Sequence, residues 1–315
     1  MTRHLAIVGP TASGKSALAL ALATRIDGAE IVSLDSMQVY RGMDIGTAKP
    51  TAAEQAAVPH HLIDVADPAD DWSVRATQDA ARVAIAAIER RGNRALLVGG
   101  TGLYVRAVVD DLAVPGTDAH VRAAIEARVA TDDGLRDAFT ELQQRDPEAA
   151  ARIEPANRRR IVRALEVIEL TGRPFSSFGP GLTAYPPPAL DLTLIGLDVP
   201  PDDLRVRIAS RFAAMRASGL LDEVRALAAR PCGLSRTAAQ AIGYKELLAF
   251  DAGDESSLDT AFDRAVARTR TFARRQRVWF RRDPRITWAP SGNIDQLTAL
   301  VLARWDATNR RAATA

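Results

Sequence analysis

The chain has a single cysteine, Cys232, among 315 residues. That excludes an internal disulfide framework and any cysteine-based zinc site, and leaves Cys232 as a free thiol. Histidine is also scarce, at four. His60 and His61 are adjacent, so they do not share a helix face, and with no further His or Cys nearby they are expected to be structural rather than metal ligands. No apolar stretch approaches a membrane span, and Met1 leads into a short strand and a Gly-Pro without the apolar region of a secretory signal, so the expected location is the cytoplasm, with no membrane partner. Lysine is the most telling scarcity. Of 41 basic residues only Lys15, Lys49 and Lys245 are lysines. An ammonium and a guanidinium differ in shape and hydration, so those three positions are where a compact point charge is expected to matter.

What is present describes an ordinary globular chain, 47% hydrophobic and 25% charged, long enough for one large domain or two unequal ones. A net charge of +2 hides segregation. Asp64, Asp67, Asp70, Asp71 and Asp79 cluster early, whereas nine arginines from Arg264 to Arg285 crowd one late segment suited to a polyanion.

Gly9-Pro10-Thr11-Ala12-Ser13-Gly14-Lys15-Ser16 fits the phosphate-loop pattern G-x-x-x-x-G-K-[ST] at every fixed position. Leu5-Ala6-Ile7-Val8 before it reads as a strand, and the Ala/Leu run from Ala17 to Ala23 reads as a helix, which is the context the motif needs. Backbone N–H groups and the helix N-terminus would face phosphate oxygens, Lys15 would supply a point charge, and the Ser16 hydroxyl could hold Mg²⁺. A diphosphate or triphosphate is the expected ligand. A second strand from Glu30 to Leu34 delivers Asp35-Ser36-Met37-Gln38, and ligands of open α/β sheets bind outside the carboxyl ends of strands, so Asp35 is expected in the same crevice. Capping a helix or pairing with Lys15 is the alternative role for Asp35.

The segment from Val39 to Pro50 reads as a loop over that crevice, and Leu62-Ile63-Asp64-Val65 as a third strand. A helix is expected from Val74 to Arg91, then a fourth strand, Arg94 to Val98, followed by Gly99-Gly100-Thr101-Gly102. This strand ends without the acidic residue of a P-loop hydrolase; the acidic group at the crevice is Asp35, and the glycines allow backbone to approach a ligand beside the Thr101 hydroxyl. The alternation argues a P-loop NTPase-like parallel sheet flanked by helices. Residues 116–189 switch to helices alone and close in a breaker-rich run from Gly172 to Gly181, giving an all-helical insertion domain between core segments 1–115 and 190–315. Leu192 to Val199 returns as a strand, and the rest is helical, with Trp279 and Phe280 beside Arg281 and Arg282 suited to unstacked RNA.

Seven stretches together resemble one family: GPTASGKS at 9–16, DSMQVYRGMDIGTAKP at 35–50, HHLID at 60–64, GGTGLY at 99–104, RRIVRALEV at 159–167, AAQAIGYKE at 238–246 and TRTFARRQRVWF at 269–280. They are similar to those of the tRNA dimethylallyltransferases, in the same order and over nearly the whole chain. The resemblance implies transfer of the dimethylallyl group of dimethylallyl diphosphate to N6 of the adenosine just 3′ of the anticodon (position 37) of tRNA, with Mg²⁺, by a monomer. It implies Asp35 as general base, Thr101 and Lys15 as further catalytic groups, and Gly9 to Ser16 around the diphosphate. It further implies tRNA contacts from Asp35, Ser36, Met37, Gln38, Thr101, Arg122, Arg159, Arg160, Ile161, Val162 and Arg163. Two positions depart from the family pattern: Glu154-Pro155-Ala156-Asn157 stands where His-Pro-Asn-Asp is common, and Val278 where Thr is usual. Three rival functions are weighed beside it: an adenylate isopentenyltransferase, against which the inserted helices and late arginines argue; a P-loop small-molecule kinase; and a non-catalytic RNA-binding module.

Overall fold

The computed structural model describes residues 4–178, 182 and 184–313. It comprises two compact units, one built from the chain up to Asp111 and from Pro188 onward, the other spanning Leu112–Pro187.

The larger unit is organised on a six-stranded sheet whose spatial order is β3-β2-β4-β1-β5-β6. The strands are β1 (His4–Val8), β2 (Ala29–Ser33), β3 (His60–His61), β4 (Arg94–Gly99), β5 (Leu192–Asp198) and β6 (Thr287–Pro290), and every pairing is parallel. Strand β1 is apolar along its length because helices cover both faces of a parallel sheet: all five residues are buried. Its neighbours are β4 and β5, and the chain leaves β1 on one side and returns on the other, so a topological switch point lies at its carboxyl end.

Helix α1 (Lys15–Ala23) starts there and buries Leu18, Ala19 and Leu22 against Leu5, Ile7 and Leu96. Each leucine so buried stabilises the fold by about 1.5–3 kcal/mol over leaving it exposed. Three helices follow: α2 (Ala52–Ala57), closed by a Thr51/Glu54 capping box, α3 (Val74–Arg90) and α4 (Gly102–Val109).

The smaller unit holds α5 (Ala119–Arg128), α6 (Asp132–Arg145), α7 (Pro147–Ala150) and α8 (Arg158–Thr171), each begun by a side chain that accepts a first-turn N–H: Asp118, Thr131, Asp146 and Asn157. Ile125, Leu142, Ile161 and Leu165 form its core. Asn157, a departure from the family pattern, serves here as the cap of α8, accepting from Arg160 N at 3.2 Å.

Back in the larger unit, α9 (Pro201–Ala217), α10 (Leu220–Ala228), α11 (Arg236–Ala239), α12 (Tyr244–Asp251) and α13 (Leu258–Arg281) bury Leu204, Ile208, Phe212, Met215, Tyr244 and Phe262 against Val39, Tyr40 and Met43. The 39–43 loop over the crevice is thereby anchored from the C-terminal side. Helix α14 (Ile294–Ala313) closes the chain.

Three expectations need correction. The third strand lies at His60–His61 rather than over residues 62–65, because Leu62 and Asp64 take positive φ (63° and 56°) that no strand tolerates. A sixth strand, β6, extends the sheet where the sequence reads as helical, through Ile195↔Thr287 to Asp198↔Pro290. Trp279 and Phe280 are not free aromatic surface: Phe280 is buried, and Trp279 packs on Gly102, where a Cβ would fall inside its ring contact. Of the breaker run, Gly179 to Gly181 lie outside the described residues. Among the described residues no helix is long and apolar enough to cross a membrane.

Candidate active site

The turn between β1 and α1 is shaped for an oxyanion. Gly14 takes φ 94° and Ala12 φ 61°, left-handed values that shape the tight turn into α1. No side chain caps α1, so its first-turn N–H groups have no internal acceptor and carry the positive end of the helix dipole. The Ser13 hydroxyl is buried with no hydrogen-bond partner, an orphan that a phosphate oxygen would satisfy.

This turn forms one wall of a cavity of about 220 Å³ whose other polar groups include Asp35, Gln38, Arg211 and Gln276 beside Lys15 and Ser16. Lys15 Nζ donates to the Pro10 carbonyl at 2.7 Å. The residue is half-buried, but its ammonium is the enclosed end. Burial pushes its pKa down, Arg211 pushes the same way, and Asp35 opposes them, leaving Lys15 at about 8. Arg211 Nη1 lies 3.5 Å from Thr11 Oγ1, and Arg207 Nη1 donates to the Ser13 carbonyl at 3.4 Å, so two arginines one turn apart on α9 flank the phosphate loop. Burial disfavours the Arg211 charge too, with Asp35 offsetting it.

Asp35 follows β2 by two residues. Its Oδ1 accepts from Met37 N at 2.8 Å and Gln38 N at 3.4 Å, while Oδ2 has no hydrogen bond among the described residues. The carboxylate is thus held by its own turn through one oxygen, and the residue lines the cavity. Neither alternative role applies: it caps no helix and makes no ion pair with Lys15 within hydrogen-bonding distance.

Gln38 is fixed from both ends, accepting from Ser33 Oγ at 2.9 Å and donating to the Thr47 and Ala48 carbonyls at 3.2 Å each. The loop that supplies those carbonyls is clasped by Glu223, whose carboxylate accepts from Asp44 N (2.9 Å), Ile45 N (2.7 Å) and Gly46 N (3.1 Å), and also from the Tyr244 hydroxyl. Burial and the Glu223 charge push the Tyr244 phenol far above its ordinary value, so it remains a donor. Lys49, the second lysine, is consumed in the same loop by the Tyr40 carbonyl (2.8 Å), Asp64 (2.6 Å) and Asp44. Lys245, the third, donates to Gln240 Oε1 at 3.2 Å. Only Lys15 of the three reaches the cavity.

Gly99, the last residue of β4, and Gly100 after it line the cavity, and Thr101 stands one residue beyond that lining at the N-cap of α4, where its hydroxyl makes no capping bond. Of the two histidines, His61 Nε2 pairs with Glu30 Oε2 at 2.7 Å, and His60, which lines the cavity, donates from Nδ1 to the Val58 carbonyl at 2.7 Å.

The expected RNA contacts in the smaller unit divide. Arg159 and Arg160 are exposed on α8. Arg122 and Arg163 both bond Glu166 Oε2 at 2.8 Å, and Arg163 also donates to the Pro115 and Gly116 carbonyls. Burial alone would push the Glu166 carboxyl up, but the Arg122 and Arg163 bonds outweigh it and hold it below the usual carboxylate range. Ile161 (0% exposed) and Val162 (4%) are core residues. Their side chains are therefore withdrawn from the list of RNA contacts, and what they do is fix the helix that displays Arg159 and Arg160.

Arg211, Gln276, Glu223 and Tyr244 escape sequence reasoning as site residues. Arg207 and Arg211 at i, i+4 on an apolar-striped helix were the available signal, as was one uncharged Gln within the run Arg274-Arg275-Gln276-Arg277.

Residues 38–283 match the family model described as IPP transferase. A tRNA dimethylallyltransferase of Bifidobacterium longum is 48% identical over 306 residues, covering 95% of this chain and 90% of the relative. The crystal structure of the tRNA isopentenylpyrophosphate transferase of Bacillus halodurans superposes with TM-score 0.70 at 39% identity, covering 99% of this chain and 100% of the other. A eukaryotic dimethylallyltransferase, solved acting on tRNA, gives TM-score 0.76 at 25% identity over 93% of this chain and 75% of its own.

Proposed function

The chain belongs to the IPP transferase family, and from that premise we propose that its cavity transfers a dimethylallyl group from dimethylallyl diphosphate to tRNA, at N6 of adenosine 37, with release of diphosphate. One observation carries the reading: the phosphate loop and the Asp35 carboxylate share a single cavity, while β4 ends in glycines rather than in the acidic residue of a nucleotide hydrolase.

The chemistry follows from those positions. As the allylic C–O bond breaks, its electron pair passes to the bridging oxygen of the diphosphate. The N–H groups at the head of α1 and Lys15, within the 9–16 loop, stabilise that developing charge with dipoles already in place. Lys15 binds the diphosphate as an ammonium, and a bound trianion raises its pKa from about 8, so binding itself secures the proton. The N6 lone pair forms the new C–N bond at the allylic carbon, and the N6 proton, acidic only once that bond forms, passes to Asp35 Oδ2. Thr101, whose hydroxyl makes no capping bond, orients the base, which must leave the anticodon-loop stack to enter, while Gln38 holds the loop beside Asp35 in place. Arg159, Arg160, Arg122 and Arg163 contribute to holding the tRNA.

Ser16 Oγ and the Asp35 carboxylate line one cavity, a hard-oxygen donor set suited to Mg²⁺; no group of three potential acidic or imidazole ligands occurs among the described residues, so the ion would draw most of its ligands from the diphosphate, as Mg²⁺ commonly does. Ser16 would hold it, and when bound it supplies neutralisation of the leaving group. The reading has the chain act as a monomer in the cytoplasm.

The test incubates the protein with Mg²⁺, unmodified tRNA bearing adenosine 37 and dimethylallyl diphosphate, then weighs the digested nucleosides. A prenyl increment on that adenosine is expected. ATP turnover on a small acceptor without any increment would make the phosphate loop a kinase site. Asp35→Ala is expected to keep tRNA affinity and lose about 10²- to 10⁴-fold in single-turnover rate; an unchanged rate removes Asp35 from the base role.

A further inference from the structure

Helix α13 carries the late arginines, several of them paired internally: Arg268 with Glu246, Arg264 with Glu255 and Arg281 with Asp198. Its inward face bears one polar side chain that reaches the cavity, Gln276, which is 6% exposed. Both ends of that amide are in use. Oε1 accepts from Thr11 N in the phosphate loop at 2.8 Å, and Nε2 donates to the Gly100 carbonyl after β4 at 2.8 Å. The amide therefore bridges two glycine turns from different strands, 265 and 176 residues away in sequence. The fit is close on the Gly100 side: a Cβ there would come within 2.7 Å of Gln276 Nε2 and 3.5 Å of Lys15 Nζ.

Two consequences follow from hydrogen-bond accounting. The Thr11 N–H is satisfied by the protein, which leaves the N–H groups at the head of α1 as those free for an anion. The phosphate loop, with left-handed backbone at Ala12 and Gly14, is held at the Ser13 carbonyl by Arg207 at 3.4 Å and at Thr11 Oγ1 by Arg211 at 3.5 Å, both long contacts. Gln276 supplies the short one, at 2.8 Å to Thr11 N, and ties the loop to Gly100.

We infer that Gln276 is a positioning residue for the allylic diphosphate: it sets the shape of the phosphate loop and its distance from Gly100 without itself binding phosphate. The inference rests on the prenyl-transfer reading for its substrate, though its first readout does not depend on transfer. Gln276→Met keeps the length and approximate volume of the side chain and removes both hydrogen bonds. Inorganic pyrophosphate with Mg²⁺, titrated calorimetrically, should bind the variant about tenfold more weakly, the combined effect of two buried hydrogen bonds of ordinary strength. In steady state KM for dimethylallyl diphosphate should rise by a similar factor while KM for tRNA stays within twofold.

Gly100→Ala attacks the same contact from the other side, since its methyl displaces the amide. The double variant should lose much less than the product of the two single losses, as expected of one shared contact. A merely structural role would lower the melting temperature and disturb both substrates alike. That pattern, or fully multiplicative losses, or an unchanged pyrophosphate affinity in a folded Gln276→Met, overturns the inference. Failure of wild-type protein to prenylate tRNA while pyrophosphate binding still depends on Gln276 would instead overturn the assigned reaction.

Discussion

Raising the pH should weaken the diphosphate site through Lys15. Burial, and after it Arg211, pushes its pKa down from an ordinary 10.5 to about 8. The protonated form binds the diphosphate, so below about 8 the site is charged and ready, whereas above it each turn of binding must first recover a proton. Affinity for inorganic pyrophosphate should therefore be flat to about pH 7.5 and fall by about tenfold per unit above pH 8. Calorimetric titration with Mg²⁺ at several pH values measures this directly. The neighbours give the argument its sign. Arg211→Gln removes a charge that lowers the Lys15 pKa, so it should weaken binding overall yet move the break to higher pH. Asp35→Asn removes a charge that raises it and should move the break lower. An affinity that is level from pH 7 to 9.5, or a break that both variants leave in place, refutes the reasoning.

Gly102→Ala should cost about 1–3 kcal/mol, because the added methyl meets the Trp279 ring and forces a repacking; thermal unfolding measures it, and Trp279→Leu in the same background should recover part of the loss. Glu30 is held at about 2: burial opposes its ionisation, but bonds from Arg91, Asn93 and His61 prevail. A depressed carboxyl contributes stability that is present above its ordinary value of 4.5 and is lost as pH falls toward 2. Glu30→Gln should accordingly lower stability by about 1–3 kcal/mol at pH 7 and flatten the acid limb of the stability curve between those values, read by denaturant unfolding across pH; parallel curves for the two proteins would count against it.

Much of this site is legible in the chain because its chemistry is local. A strand, a glycine turn and a helix start occupy Leu5 to Ala23 without interruption, and Asp35 follows its strand by two residues, so position in sequence fixes position at the sheet's carboxyl edge. Residues that enter from afar are harder to see. Gln276 and Arg211 reach the phosphate loop from helices far along the chain, and the local signals, arginines four apart and one Gln in an arginine run, do not say what either residue meets. Burial also sorts residues that a motif groups together. Within Arg159 to Arg163, the helical period turns Ile161 and Val162 into the core and leaves Arg159 and Arg160 outside. Strand β6 is short, and only pairing with β5 makes a strand of Thr287–Pro290.

The clasp of Glu223 on residues 44–46 bears on where an anion can bind. Three successive N–H groups converging on one point make a concavity as attractive to phosphate as the glycine turn itself. An internal carboxylate occupies it, locked by the Tyr244 hydroxyl, and Gly46 has no side chain because that ring fills the place. That cradle lies outside the cavity lining and is already filled, so it has nothing to offer an incoming anion, and the unclaimed N–H groups at the head of α1 are left as the seat for a diphosphate.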